Sequence, residues 1–190
     1  MDAPPSPQTD DRPGYDRRMT KEEINILPVE KYEGPIHLIT TRDDLVITEQ
    51  LRKEPVLGFD IEIKPAFSKG ESHPPALLQL AGTDAVCIFQ LSQLKLPRAV
   101  RALLADPDII KAGVAPGQDI AKLKELGQFK EAGFTDLATL AKQNGIKNFG
   151  LRGLAAVLFG FRISKGARVS NWARADLTET QIHYAATDAW

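Results

Sequence analysis

The sequence has a single cysteine, almost no net charge and no long apolar run, and each shortage excludes something. Cys87 cannot form an internal disulfide, and its place in Ala85-Val86-Cys87-Ile88-Phe89 makes it a small buried hydrophobe, which suits a reducing, cytoplasmic setting without a disulfide partner. Lys and Arg total 24 against 25 Asp and Glu, so the net charge of -1 offers no bulk attraction to polyanions. Any nucleic-acid site must therefore be a local basic patch. No apolar stretch approaches the length needed to cross a bilayer, and Met1-Asp2-Ala3-Pro4-Pro5 lacks the basic-then-apolar opening of a secretory signal. The expectation is a soluble, intracellular protein. Its 190 residues, 43% of them hydrophobic, suffice for one domain with a core that needs no covalent or metal staples.

Up to about Tyr32 the chain has Pro4, Pro5, Pro7 and Pro13 among many charges and little apolar periodicity. Residues 1–32 are thus expected to be a flexible tail, and residues 33–190 the folded domain. Residues 36–39 read as a short strand, and 40–51 as a helix capped by Thr40 or Thr41. The run 56–63 is the most β-like in the chain. Residues 76–81 and 85–91 form a hairpin across Gly82-Thr83-Asp84, which gives three antiparallel strands. Helices follow near 97–104, 117–126 and 136–143, with a strand at 109–114. From Leu151 the pattern is helical again, then a loop runs through Asn171 to a last helix from Leu177, where Thr178 and Gln181 suit a capping box. Strands first and helices later indicate an α/β domain with a mixed sheet.

Residues two apart on a strand share a face, so Asp60 and Glu62 present two carboxylates together while Phe59, Ile61 and Ile63 face the other way. Burying two like charges is costly without compensation, and hard divalent cations take oxygen ligands of this kind. Taken alone, the pair also fits a solvated acidic edge strand. Asp119 follows Gly113-Val114-Ala115-Pro116-Gly117-Gln118, a strand-to-helix junction that aims a side chain over the carboxyl edge of a sheet. The helix dipole by itself also favours an Asp there. In Tyr184-Ala185-Ala186-Thr187-Asp188 the spacing of four puts a phenol and a carboxylate one turn apart.

In this order Asp60, Glu62, Asp119, Tyr184 and Asp188 resemble the DEDD family of 3′–5′ exonucleases, in the subclass marked by tyrosine. The matching stretches are Gly58-Phe59-Asp60-Ile61-Glu62, Ala76-Leu77-Leu78-Gln79-Leu80, Gly113 to Asp119, and Ser170-Asn171-Trp172 through Tyr184 to Asp188. The chain is similar to the ribonuclease D and Werner-exonuclease branch, especially its stand-alone bacterial form. The resemblance implies a ribonuclease H-like mixed sheet, antiparallel over its first three strands and then parallel, flanked by helices. It also implies two-metal hydrolysis with Mg²⁺ or Mn²⁺ that releases nucleoside 5′-monophosphates from the 3′ end of DNA or RNA. Asp60 would then touch both ions, Glu62 and Asp188 the ion that activates water, and Asp119 the second. Tyr184 would orient the attacking water, since a phenol near its ordinary pKa is a poor base at neutral pH. A sister subclass carries His five residues before the last Asp, and His183 meets that spacing too. At about 100° per residue, Tyr184 lies roughly 40° around the helix from Asp188 and His183 roughly 140°, which favours tyrosine.

A polyanionic partner has separate support. From Lys142 to Arg174 the chain carries seven basic residues and no acid, leading into the last helix. Lys147, Arg152, Lys165 and Arg168 are the phosphate-contact candidates, against the alternative of a solvated surface. The loop of residues 64–75 follows the Asp60–Glu62 strand, and its Phe67 is a candidate to stack on the terminal base. Trp172 reads as a packing anchor under the last helix. Two other functions remain in view: a silent nucleic-acid-binding module and a hydrolase for short oligonucleotides or nucleotides. The presence of all five side chains opposes the first; the long basic track opposes the second.

Overall fold

Alternation of apolar with small or acidic residues over Val56–Ile63 produces the longest strand, with Leu57, Phe59 and Ile61 buried on one face and Asp60 and Glu62 half-buried on the other. It stands in a computed structural model that describes residues 13–190. In chain order the strands are β1 (Val29–Glu30), β2 (Ile36–Ile39), β3 (Val56–Ile63), β4 (Pro75–Ala81), β5 (Val86–Gln90), β6 (Ile110–Gly113), β7 (Phe134–Asp136) and β8 (Arg162–Ile163). The helices are α1 (Lys21–Asn25), α2 (Thr48–Leu51), α3 (Leu91–Leu94), α4 (Arg98–Leu104), α5 (Gly117–Leu126), α6 (Leu137–Gln143), α7 (Leu151–Phe159) and α8 (Glu179–Ala189).

Six strands form one mixed sheet in the order β2-β5-β4-β3-β6-β7. The β3–β4 and β4–β5 pairs are antiparallel; β2–β5, β3–β6 and β6–β7 are parallel. This is the mixed sheet expected from the sequence, antiparallel through β3, β4 and β5 and flanked by helices. Every residue of β4 is buried, because apolar layers cover both faces of the sheet. On one side Phe59, Leu78, Leu80 and Phe89 pack with Val100, Leu103 and Leu104 of α4 and Leu123 of α5. On the other, Leu77, Ala81 and Ile88 meet Trp172 and the alanines Ala185, Ala186 and Ala189 of α8. Trp172 is fully buried, as a packing anchor should be.

Small side chains let α8 lie close to the sheet. A Cβ at Gly58 would come within 1.8 Å of the Ala189 carbonyl oxygen, so only glycine permits this crossing. The capping box of α8 forms as expected: Gln181 N–H donates to Thr178 Oγ1, and Thr178 N–H donates to Gln181 Oε1.

Two expectations need correction. Residues 40–51 are not one helix: a 3₁₀ turn over Asp43–Ile47 runs into the short α2. The threonines are donors rather than caps, since Asp44 Oδ2 accepts from the N–H groups of Thr40 and Thr41 and from the Thr41 hydroxyl. The first twelve residues of the expected tail lie outside the described residues, but the remainder is a strap on the domain. Ile24 and Tyr32 are buried, β1 pairs in parallel with β8, and Met19 exchanges two backbone hydrogen bonds with the Asn148 side chain. Such a strap needs only two apolar anchors, and its other ties are polar, so it leaves no hydrophobic period in the sequence.

Candidate active site

The acids gather where β3 passes under the C-terminal turn of α8. Asp60 and Glu62 project from the α8-facing side of β3, and Asp188 descends from α8, whose approach Gly58 permits. One carboxylate oxygen from each of Asp60, Glu62 and Asp188 lies within 4.8 Å of the others. Asp119, in the first turn of α5, stands outside that tight group, yet its charge still acts on Asp60 and Glu62. The β6–α5 junction that aims it has an unusual backbone: Ala115 adopts a left-handed φ of 54°. Its N–H donates to Asp136 Oδ1 at 2.8 Å, and the same carboxylate caps α6 through the Ala138 N–H. A buttress from β7 thereby holds the turn ahead of Asp119.

Burial, and then repulsion from Asp188 and Asp119, pushes the Asp60 carboxyl well above the usual range. Burial and the neighbouring Asp60, Asp188 and Asp119 raise Glu62 to about 9. Burial raises Asp119 and Asp188 to about 6 each. Among the described residues none of the four forms an ion pair with Lys, Arg or His. Three clustered carboxylates, with Asp119 beyond them and no protein cation among the described residues, match the donor chemistry of a hard divalent ion.

Tyr184 sits beside Asp188, and burial together with that carboxylate raises its phenol pKa, so it stays protonated. His183 points elsewhere: Nδ1 is 3.3 Å from the Tyr32 carbonyl oxygen and Nε2 is 3.8 Å from Glu179.

A cleft of about 460 Å³ runs from Tyr184 and Asp188 past Arg152, Lys165 and Arg168. Three of the four basic candidates thus reach it. Lys147 does not line it; its side chain is exposed, while its backbone bonds to Gly14 and Arg18. Phe67 is displayed to solvent at 80% exposure in a loop held by Glu71, which accepts from the Phe67 and Ser68 N–H groups and contacts His73. Sequence reasoning passed over three participants. Arg18 and Lys21 line the cleft from the strap, within the residues 1–32 expected to be a tail. Gln79, directly opposite Asp60 on β4, is fully buried with neither amide atom hydrogen-bonded among the described residues. The available signal was one amide inside the apolar run Ala76-Leu77-Leu78-Gln79-Leu80.

Residues 36–190 match the family model described as 3′-5′ exonuclease. The chain is 35% identical over 161 residues to ribonuclease D of Gluconacetobacter diazotrophicus, covering 83% of this chain and 40% of that protein. It is 33% identical over 150 residues to the mouse bifunctional 3′-5′ exonuclease/ATP-dependent helicase WRN, covering 76% of this chain and 11% of that one. Among solved structures, Escherichia coli RNase D superposes with a TM-score of 0.69 at 25% identity, covering 82% of this chain and 41% of that one. The chain therefore spans less than half the length of these relatives.

Proposed function

Because the chain belongs to the 3′-5′ exonuclease family, we propose that it hydrolyses the last phosphodiester at the 3′ end of a nucleic-acid strand and releases a nucleoside 5′-monophosphate. The observation that carries this reading is the carboxylate cluster of Asp60, Glu62 and Asp188, close enough to share a metal and without a protein cation. Two Mg²⁺ or Mn²⁺ ions, when bound, would lower the pKa of the attacking water and stabilise the leaving 3′ oxygen. Asp60, Glu62 and Asp188 would hold one ion, and Asp119 with Asp60 the other. Tyr184, kept protonated beside Asp188, would orient the water rather than take its proton, which supports the tyrosine-subclass reading. Water adds to phosphorus as the bond to the penultimate O3′ breaks, leaving a new 3′-hydroxyl on the shortened strand.

Arg152, Lys165 and Arg168 bind the phosphate backbone in the cleft, and Phe67 stacks on the terminal base. A silent binding module would not need Asp60, Glu62 and Asp188 to meet beside Tyr184, and an enzyme for mononucleotides would not need a basic cleft. The unpaired, buried Cys87 agrees with a cytoplasmic location, and no described helix is long and apolar enough to cross a membrane. The test is incubation of 5′-labelled RNA, single-stranded DNA and recessed duplex with Mg²⁺ or Mn²⁺. A stepwise ladder that EDTA abolishes is expected on at least one substrate; no metal-dependent ladder on any of them overturns the proposal.

A further inference from the structure

Residues 17–30 lie ahead of the segment matched by the family, yet they are built into the cleft. Thr20 and Glu23 close a capping box on α1, and Arg17 grips Glu23 through two bonds of 2.8 and 2.5 Å, which uses up the charge of Arg17 locally. The strap is then tied across the domain. Met19 N–H donates to Asn148 Oδ1 at 2.8 Å, and Asn148 Nδ2 donates to the Met19 carbonyl at 3.0 Å. Arg152 donates to Asn25 Oδ1 at 2.7 Å, Arg162 Nε donates to the carbonyls of Asn25 and Leu27, and β1 pairs with β8. Ties on both sides hold the intervening backbone against the cleft that ends at Tyr184 and Asp188.

Arg18 and Lys21 are the cations this arrangement leaves over. Both line that cleft, and among the described residues neither has a carboxylate partner. Arg18 is also oriented: its guanidinium lies 5.2 Å from the centre of the Phe149 ring, and its Nε donates to the Lys147 carbonyl. A strap serving only stability would have no need to present two cations without carboxylate partners among the described residues to a cleft that Lys165, Arg168 and Asp188 also line. We propose that the strap forms one wall of the substrate cleft, where Arg18 and Lys21 hold backbone phosphates on the 5′ side of the bond being cut. This rests on the exonuclease reading and adds to it: the preferred substrate is a strand several nucleotides long.

The test compares the wild-type protein with the Arg18→Gln/Lys21→Gln double variant, on a 5′-labelled strand of about 20 nucleotides and on a dinucleotide of the same sugar. The dinucleotide has only the scissile phosphate. In the variant the ratio of kcat/KM on the long strand to that on the dinucleotide falls about tenfold, mainly through KM. The slope of log kcat/KM against log salt becomes shallower by about 1.4, as expected for two lost single-strand phosphate contacts. The charge-preserving Arg18→Lys/Lys21→Arg variant restores the ratio to within about twofold. Asn148→Ala, which frees Met19, reproduces the fall with both cations present, with melting temperatures confirming that each variant is folded. An unchanged ratio and salt slope in the double variant overturn the strap's role while leaving the exonuclease intact. Wild-type protein inactive on both substrates overturns the exonuclease reading and the strap reading together.

Discussion

The acid cluster and the basic cleft that meets it at Asp188 are built on opposite plans. The acidic floor stands on β3 and α8, whose crossing is so close that it tolerates no Cβ at Gly58, and its side chains Asp60, Glu62 and Asp188 are half-buried. The basic wall stands on the strap, the start of α7 and the loop around β8, with Arg18, Lys21, Lys165 and Arg168 all exposed. Bond-breaking chemistry needs its groups fixed within fractions of an ångström, so they belong on rigid, packed elements. Backbone phosphates recur along a strand and can be reached by long side chains from many positions, so cations on exposed segments suffice.

Disturbing the floor should therefore cost far more than disturbing the wall. Asp60→Asn is expected to lower kcat by about 10³-fold or more, equivalent to about 4 kcal/mol, with a melting temperature no lower than that of the wild type. Single-turnover kinetics measures this, and activity within tenfold of the wild type would remove Asp60 from the site. Tyr184→Phe keeps the packing against Trp172 but removes the hydroxyl, and is expected to slow cleavage about 10²-fold. His183→Ala should stay within about threefold, because its ring faces Tyr32 and Glu179. The reverse ranking would favour the histidine subclass over the tyrosine one.

Gly58→Ala tests the crossing itself. The added methyl must displace the last turn of α8, so denaturant melts should show a loss of roughly 1–3 kcal/mol. Activity should fall about tenfold as Asp188 shifts, and a fully stable, fully active variant would show that the crossing is not what positions this acid.

The floor also predicts how metal and pH couple. Raised carboxyl pKa values mean that the metal-free folded protein binds more protons than the unfolded chain, so its stability is fullest below the ordinary carboxylate pKa near 4. That stability is lost as pH rises through about 6 for Asp119 and Asp188 and toward about 9 for Glu62. In EDTA the melting temperature should consequently fall between acidic and alkaline pH, and the rise produced by Mn²⁺ should be larger at alkaline pH. A metal-induced rise independent of pH would contradict the carboxylates as ligands. The smallest effect belongs to the periphery: Phe67→Ala is expected to raise KM only about twofold to threefold and leave kcat in place, as steady-state kinetics on a long strand would show.

Much of this architecture was legible in advance because its signals are local. Strict alternation marked β3, the hairpin turn at Gly82-Thr83-Asp84 marked β4 and β5, and the capping box at Thr178 marked α8. The helix expected from Thr40 failed because Asp44 competes for the threonine donors and tightens the turn. Strands as short as β1, β7 and β8 carry no periodicity to read, and they exist only because a partner strand supplies their hydrogen bonds.

By itself the sequence determined which side chains are available for chemistry. The order Asp60, Glu62, Asp119, Tyr184, Asp188 and the acid-free basic run are properties of residue type and spacing, and helical geometry alone ranked Tyr184 above His183. Tertiary structure decided which of them meet. It drew three acids within 4.8 Å, left Asp119 outside that group and Lys147 out of the cleft's lining, and brought Arg18 and Lys21 into it. Such meetings depend on contacts between segments more than a hundred residues apart, such as Met19 with Asn148 and Gly58 with Ala189, and no local pattern records them.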